Sequence, residues 1–177
     1  MAVFQSIRNL FFLPQTAEPE LIIPAPLTNY RIRPITHRNL GEIVRLNVRC
    51  FKDGENYSKN TFNYLLNESQ SLSYRTLADD GSITGFIFVL VNSDGAGHVT
   101  TICVAPEHRR RGVAKLLLEH TEAALAAKSI STIMLEVRVS NLAARDLYIQ
   151  SGYSIMQRVT KYYNNGEDGY LMMKSLV

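Results

Sequence analysis

Residues 103–120 read CVAPEHRRRGVAKLLLEH: an apolar strand breaks at Pro106, three arginines and a glycine follow, and a strongly periodic helix begins. A helix starting near Arg111 leaves its first backbone N–H groups without intrahelical partners, and with the helix dipole these form an anion site. Gly112 lets a ligand approach the backbone, Ala114 is the next smallest choice, and the side chains of Arg109, Arg110 and Arg111 suit phosphate. A bound phosphate, a nucleic-acid backbone and a solvated basic loop all fit this stretch taken alone. Two more side chains stand out. Glu136 lies in STIMLEVRV on the face of Met134 and Arg138, opposite Ile133, Leu135, Val137 and Val139. An acid inside a strand is either employed or ion-paired, here with Arg138 or Arg145. Tyr148 lies about two turns past Asn141 on a short amphipathic helix, as a core residue or as a proton donor aimed at the strand ends.

The elements that must hold these residues follow from periodicity and turn chemistry. NYRIRPIT alternates as a strand, HRNLGEIVRLNVRCF and KNTFNYLLNES are helical, and Ser58 is placed to cap the second. Residues 71–105 read as three strands reversed at Asp80-Gly81 and Asp94-Gly95. Residues 111–128 form a helix with Val113, Leu116, Leu117, His120, Ala124 and Ala127 on one face, which makes His120 a core histidine. A strand, a short helix capped at Ser140-Asn141 and stopped at Gly152, and two closing strands complete the chain. The class is α/β: a mixed, mostly antiparallel sheet of about seven strands. The strand-helix-strand step demands a central parallel pair, with helices on both faces. The arginine turn then sits at the carboxyl end of a parallel strand, where ligands bind in such sheets. No Gly-Lys-Ser/Thr follows Gly112, so a phosphate ligand without nucleotide hydrolysis fits better than a P-loop.

Bulk properties narrow the class further. With 177 residues, 46% hydrophobic and 20% charged, the chain suits one domain with a single core. A net charge of +3 is mild for a nucleic-acid binder. No stretch reaches the roughly 18 apolar residues of a membrane span. Cys50 and Cys103 make no disulfide framework, which points to a reducing, cytoplasmic setting, and Cys103 reads as a small buried hydrophobe. His98, His108 and His120 have no metal-ligand spacing, and His37 reads as structural. Residues 1–28 differ from the rest: Val3, Phe4, Ile7, Leu10 and Phe11 recur at helical spacing among several prolines. They read as an extension packed on the domain or a partner, or as a weak membrane-surface or targeting helix, beside a domain over 29–177.

The loop Arg109-x-x-Gly112-x-Ala114, after Val104-Ala105-Pro106, resembles the acetyl-CoA loop of the GNAT N-acetyltransferase superfamily over about residues 29–177. Within it, LEVRVSNLAARDLYIQSGY (135–153), the pair Tyr162-Tyr163 and the following GED resemble RimI-type ribosomal-protein alanine N-acetyltransferases. They are also similar, slightly less closely, to catalytic subunits of protein N-terminal acetyltransferases. Ala114 stands where the family often has glycine. The chain has no tryptophan, and Lys52-Asp53 follows Phe51 where the RimI type has Pro-Trp, so peptide preference does not carry over.

The resemblance implies acetyl-CoA as co-substrate, with no metal. The amides of Arg109, Arg110, Arg111, Gly112, Val113 and Ala114 would hold its pyrophosphate. The strand Ile102, Cys103 and Val104 would pair with the pantetheine arm, and Asn141 would both cap its helix and touch that arm. The implied reaction moves an acetyl group onto a protein N-terminal α-amine, with a ribosomal protein as one candidate acceptor. The attack is direct, in a ternary complex. Glu136 is the candidate base, directly or through a water, Tyr148 the acid for the leaving thiolate, and the Val104 N–H the donor to the carbonyl oxygen. Loops 51–58 and 158–168, including Phe51, Tyr162 and Tyr163, would shape the peptide slot. The alternatives are a small amine or a lysine side chain as acceptor, and a non-catalytic CoA sensor. Nucleic acid is not expected as a partner, and the oligomeric state expected is a monomer or weak homodimer.

Overall fold

The computed structural model describes residues 22–51 and 56–177. Its seven strands are β1 (Arg31–Pro34), β2 (Ser71–Leu77), β3 (Ile83–Val91), β4 (Gly97–Val104), β5 (Thr132–Arg138), β6 (Ser154–Val159) and β7 (Gly169–Ser175). They form one sheet in the order β1-β2-β3-β4-β5-β7-β6, antiparallel except for β4 beside β5. The helices are α1 (Leu40–Cys50), α2 (Lys59–Asn67), α3 (Val113–Ala126) and α4 (Leu142–Gln150). The expected order and sheet type are those found. The Asp80 carboxylate accepts from the Ser82 N–H at 2.9 Å, and that of Asp94 from the Ala96 N–H at 3.0 Å, which sets both hairpin reversals. Ser58 caps α2 by accepting from the Thr61 N–H at 3.1 Å.

Two apolar layers enclose the sheet. On one face Phe86, Phe88, Leu90 and Cys103 pack on Ile43 and Leu46 of α1 and Phe62 and Leu65 of α2. On the other, Val89, Val99, Ile133, Leu135 and Val137 pack on Leu117, Leu118 and Leu125 of α3 and Tyr148 of α4. Glu136 belongs to the first face, because its neighbours Leu135 and Val137 are buried on the second.

The feature that matters for chemistry is a division between β4 and β5. They are in register only at Gly97–Ile133 and His98–Met134, whereas β4 follows β3 to its end at Gly85–Val104. Against β3, Thr101 faces Phe88 and Val99 faces Val89, so Thr100 is an extra residue. Such a bulge bends a strand and ends its pairing. Here it turns the last residues of β4 away from β5 and leaves a wedge open toward the carboxyl ends.

Two details differ from the sequence-based expectation. Helix α3 begins at Val113 rather than near Arg111, because Gly112 is left-handed at φ 76°. Its buried stripe is Val113, Leu117, Leu118, Thr121, Glu122 and Leu125, so His120 is exposed, its ring edge-on to Tyr74 at 4.6 Å. Buried Glu122 is satisfied by the Tyr153 hydroxyl at 3.0 Å and the Lys174 ammonium at 2.6 Å. Strand β6 stops at Val159, which leaves Tyr162 and Tyr163 in the loop expected over 158–168. There the Asp168 carboxylate accepts from the Lys161 N–H and from Arg158, both at 2.8 Å. Among the described residues no helix is long and apolar enough to cross a membrane.

Candidate active site

The turn between β4 and α3 is built to present amides. A short 3-10 turn, Pro106–His108, uses the Arg109 N–H, which donates to the Pro106 carbonyl at 3.3 Å. Among the described residues no N–H from Arg110 to Lys115 has a backbone partner, and the next to be engaged is Leu116, bonded to Gly112 at 2.9 Å. Arg110 at φ 62° and Gly112 at φ 76° curl the segment. A Cβ added at Gly112 meets nothing within 4 Å, so open space lies over the turn. Successive N–H groups in such a curl, at a helix N-terminus, make an anion concavity.

Two of the arginine side chains are occupied elsewhere. Arg109 Nε donates to the Val104 carbonyl at 3.2 Å. Arg111 donates to the carbonyls of Pro26, at 2.8 Å, and Ala25, whose own N–H donates to Glu107 at 3.0 Å. The segment before β1 thus straps across the turn. What the turn offers an anion is chiefly main-chain N–H groups, with Arg110 exposed beside them.

The wedge supplies a second set. The Ala105 N–H donates to Thr84 on the β3 side at 2.8 Å. Backbone direction alternates along a strand, so the N–H groups of Ile102 and Val104 point into the wedge, while Cys103 faces β3 with its backbone. The Val104 carbonyl on that edge is taken by Arg109 and by the Cys50 thiol at 3.4 Å. An extended arm could pair there as an added strand.

At the closed end of the wedge, Glu136 Oε2 is 2.6 Å from His98 Nε2, with side-chain exposures of 20% and 8%. The partner expected for a merely structural Glu136 was Arg138 or Arg145. Arg138 instead bonds Asn165 and Glu167, and Arg145 bonds the Val139 carbonyl at 3.0 Å. His98 carried no signal in the sequence beyond its place at the start of a strand. Only the parallel register, which sets it beside Met134, brings it to Glu136.

Tyr148 lies on the opposite face of the sheet, 6% exposed and packed against Tyr153. Burial pushes its phenol far above the ordinary tyrosine range, so it keeps its proton. Asn141 caps α4, accepting from the Ala144 N–H at 3.2 Å.

The residues expected to shape a peptide slot lie toward the Glu136 face. Phe51 follows α1 as its C-cap, half-buried, and its carbonyl accepts from Asn56; residues 52–55 of the expected loop lie outside the described residues. Tyr57, from the same loop, donates to the Thr100 carbonyl at the bulge at 3.4 Å. Tyr162 and Tyr163 meet edge-on at 5.1 Å, and the Arg138 guanidinium stacks 4.0 Å over Tyr163. Glu167 latches this loop, accepting from the Ser140 N–H at 2.9 Å and from Arg138.

Those hydrogen bonds, from Ser140 first and Arg138 next, hold the Glu167 carboxyl down to about 2 from an ordinary 4.5. A depressed carboxyl stabilises the fold above its unfolded value and loses that contribution as pH falls toward its folded value. Denaturant midpoints should therefore fall between pH 4.5 and about 2, and less steeply in Glu167→Gln. Asp168, whose carboxyl is lowered by the Lys161 N–H and Arg158, acts in the same sense and remains in the variant. Equal slopes in both proteins would show that the latch is not formed. Among the described residues no group of three or more His, Cys, Asp or Glu converges as a metal site.

Residues 40–153 match the model of the acetyltransferase (GNAT) family. The chain is 31% identical over 144 residues to the N-alpha-acetyltransferase daf-31 of Caenorhabditis elegans, covering 78% of each. It is 32% identical over 150 residues to the N-terminal acetyltransferase A complex catalytic subunit NAA10 of Arabidopsis thaliana, covering 82% of this chain and 77% of that one. Its fold superposes on the ribosomal-protein-S18-alanine N-acetyltransferase of Escherichia coli with TM-score 0.76 and 25% identity, over 84% of this chain and 94% of the other.

Proposed function

The chain belongs to the GNAT acetyltransferase family and is an acetyl-CoA-dependent N-acetyltransferase, and we propose that its acceptor is the N-terminal α-amine of a protein. The observation that carries this is the Glu136–His98 pair at the closed end of the wedge, on the sheet face over which the Tyr162–Tyr163 loop is latched. Relatives at 31% and 32% identity are by name N-terminal or N-alpha acetyltransferases, which supports the same acceptor class. The terminus of a ribosomal protein is one candidate, since the Escherichia coli enzyme is named for alanine of S18. The catalytic unit on this reading is 29–177, working in the cytoplasm as a monomer or weak homodimer, with 1–28 as an extension.

Each residue then has a task. The amides of Arg110 to Ala114 bind the pyrophosphate of acetyl-CoA, and that of Ile102 receives the pantetheine arm in the wedge. That places the thioester between Glu136 on one face of the sheet and Tyr148 on the other. An α-amine has a pKa of about 7.7–8.0 and must lose a proton before it attacks. Glu136 takes that proton, directly or through a water, and His98 orients its carboxylate. The Val104 N–H stabilises the acetyl oxygen as the new C–N bond forms. Tyr148 donates its proton to the sulfur as the C–S bond breaks.

Tyr148→Phe keeps the ring that packs on Tyr153 and deletes only the donor. It should lower kcat by at least about tenfold, at the low end or below of what general acid catalysis contributes, with an unchanged KM for acetyl-CoA. Unaltered kcat would remove Tyr148 from the mechanism. The acceptor class is tested by mass shift with acetyl-CoA against three sets: free N-terminal peptides, N-blocked lysine peptides and polyamines. Turnover of the first set is expected, and turnover of only the other two overturns the reading.

A further inference from the structure

The chemistry above leaves both cysteines unused, yet the fold brings them together. Cys50 is the last residue of α1, half-buried, and Cys103 is 7% exposed inside β4. Cys50 packs on the apolar layer that contains Cys103, and its Sγ donates to the carbonyl of the adjacent Val104 at 3.4 Å. Two cations flank the pair. Arg109 shares the same Val104 carbonyl, and Arg49, the neighbour of Cys50, is held by Glu107 through two bonds of 3.2 and 2.8 Å. We propose that Cys50 and Cys103 form a thiol-modification site for small disulfides of the glutathione class, with Cys50 as the attacking thiol and Cys103 as the resolving one.

The assignment of roles follows from the surroundings. Cys50 is the more accessible, and the neighbouring Cys103 side chain together with Arg109 and Arg49 draws its thiol below the ordinary range. Burial pushes the Cys103 thiol up, so it is the member that holds its proton. In the first step the Cys50 sulfur bonds to one sulfur of the small disulfide, whose S–S bond breaks and releases one small thiol. In the second, the Cys103 sulfur bonds to the Cys50 sulfur and displaces the second small thiol, carrying the proton. The protein loses two hydrogens and two electrons, and one small disulfide is reduced to two thiols. In a reducing compartment such a bond is transient, which is the usual form of a sensing disulfide.

The consequence for activity rests on the proposed acceptor side. A disulfide brings the sulfurs to about 2.05 Å and removes the S–H that donates to Val104. The first change draws the end of α1, where the acceptor segment starts at Phe51, toward β4, and the second frees the Val104 carbonyl. The KM for the acceptor should rise severalfold.

The test uses the reduced full chain with oxidised glutathione, stopped in denaturant with N-ethylmaleimide and read by intact mass and peptide mapping. The expected product has lost two hydrogens and takes no maleimide. Cys103→Ser stops with one glutathione on Cys50, and Cys50→Ser leaves Cys103 unmodified. Wild type that keeps two alkylatable thiols, that stops at the mixed disulfide, or that in the Cys50→Ser form gains glutathione on Cys103 overturns the site. These masses need no acetyl transfer, so the site stands or falls separately from the acceptor assignment. An unchanged acceptor KM in the disulfide form would overturn the coupling to α1.

Discussion

Gly112→Glu is expected to weaken acetyl-CoA binding severely while the protein stays folded. Gly112 has φ 76°, and a Cβ there meets nothing within 4 Å. The variant therefore suffers the left-handed penalty, about 1–2 kcal/mol, without a clash. Its carboxylate, however, enters the space in front of the Arg110–Lys115 amides and confronts a diphosphate with like charge. Losing two charge-assisted hydrogen bonds of about 1.5–3 kcal/mol each weakens affinity by about a hundredfold or more. Gly112→Ala separates the causes, because it carries the backbone penalty and no charge. Calorimetric titration with CoA should give a far weaker Kd for Glu than for Ala, with both variants folded. Equal affinities would mean that the turn does not face the pyrophosphate.

Glu136→Gln has the second large effect, and its signature is in the pH profile. Removing a general base costs about 10²- to 10⁴-fold in rate. The cost depends on the acceptor being protonated, and with an amine pKa of about 7.7–8.0 the base is needed at pH 7 far more than at pH 9. The ratio of wild-type to variant kcat should therefore shrink as pH rises through that range. Glutamine keeps the size of the side chain and a hydrogen-bonding group for His98, so loss of packing does not mimic this pattern. A constant ratio from pH 7 to 9 would assign Glu136 a structural role as the partner of His98 alone.

Legibility followed the range of the interactions. The amide turn was readable because a helix N-terminus, a glycine and a broken strand are adjacent in sequence, and Glu136 because alternation exposes an acid among Leu135 and Val137. The Ser58, Asn141, Asp80 and Asp94 devices act within three residues and were equally visible. His98 was not, since it reaches Glu136 only through the parallel register of β4 and β5. The bulge at Thr100 carries no glycine or proline to mark it, so the wedge was hidden too. The face of α3 was misjudged because Leu116, Leu117 and Leu118 allow two stripes, and only the sheet selects Leu118 and Leu125 over His120. Arg109 and Arg111 looked like phosphate ligands, but Val104 and the strap through Ala25 and Pro26 claim their side chains.

The central claim is that main-chain N–H groups at the mouth of α3 hold the diphosphate and thereby direct the thioester into the β4–β5 wedge. A crystal structure of the protein with acetyl-CoA tests it most directly. The account predicts diphosphate oxygens within hydrogen-bond distance of N–H groups between Arg110 and Lys115, and the acetyl group between Glu136 and Tyr148. A diphosphate bound away from that turn, or an acetyl group outside the wedge, would contradict it.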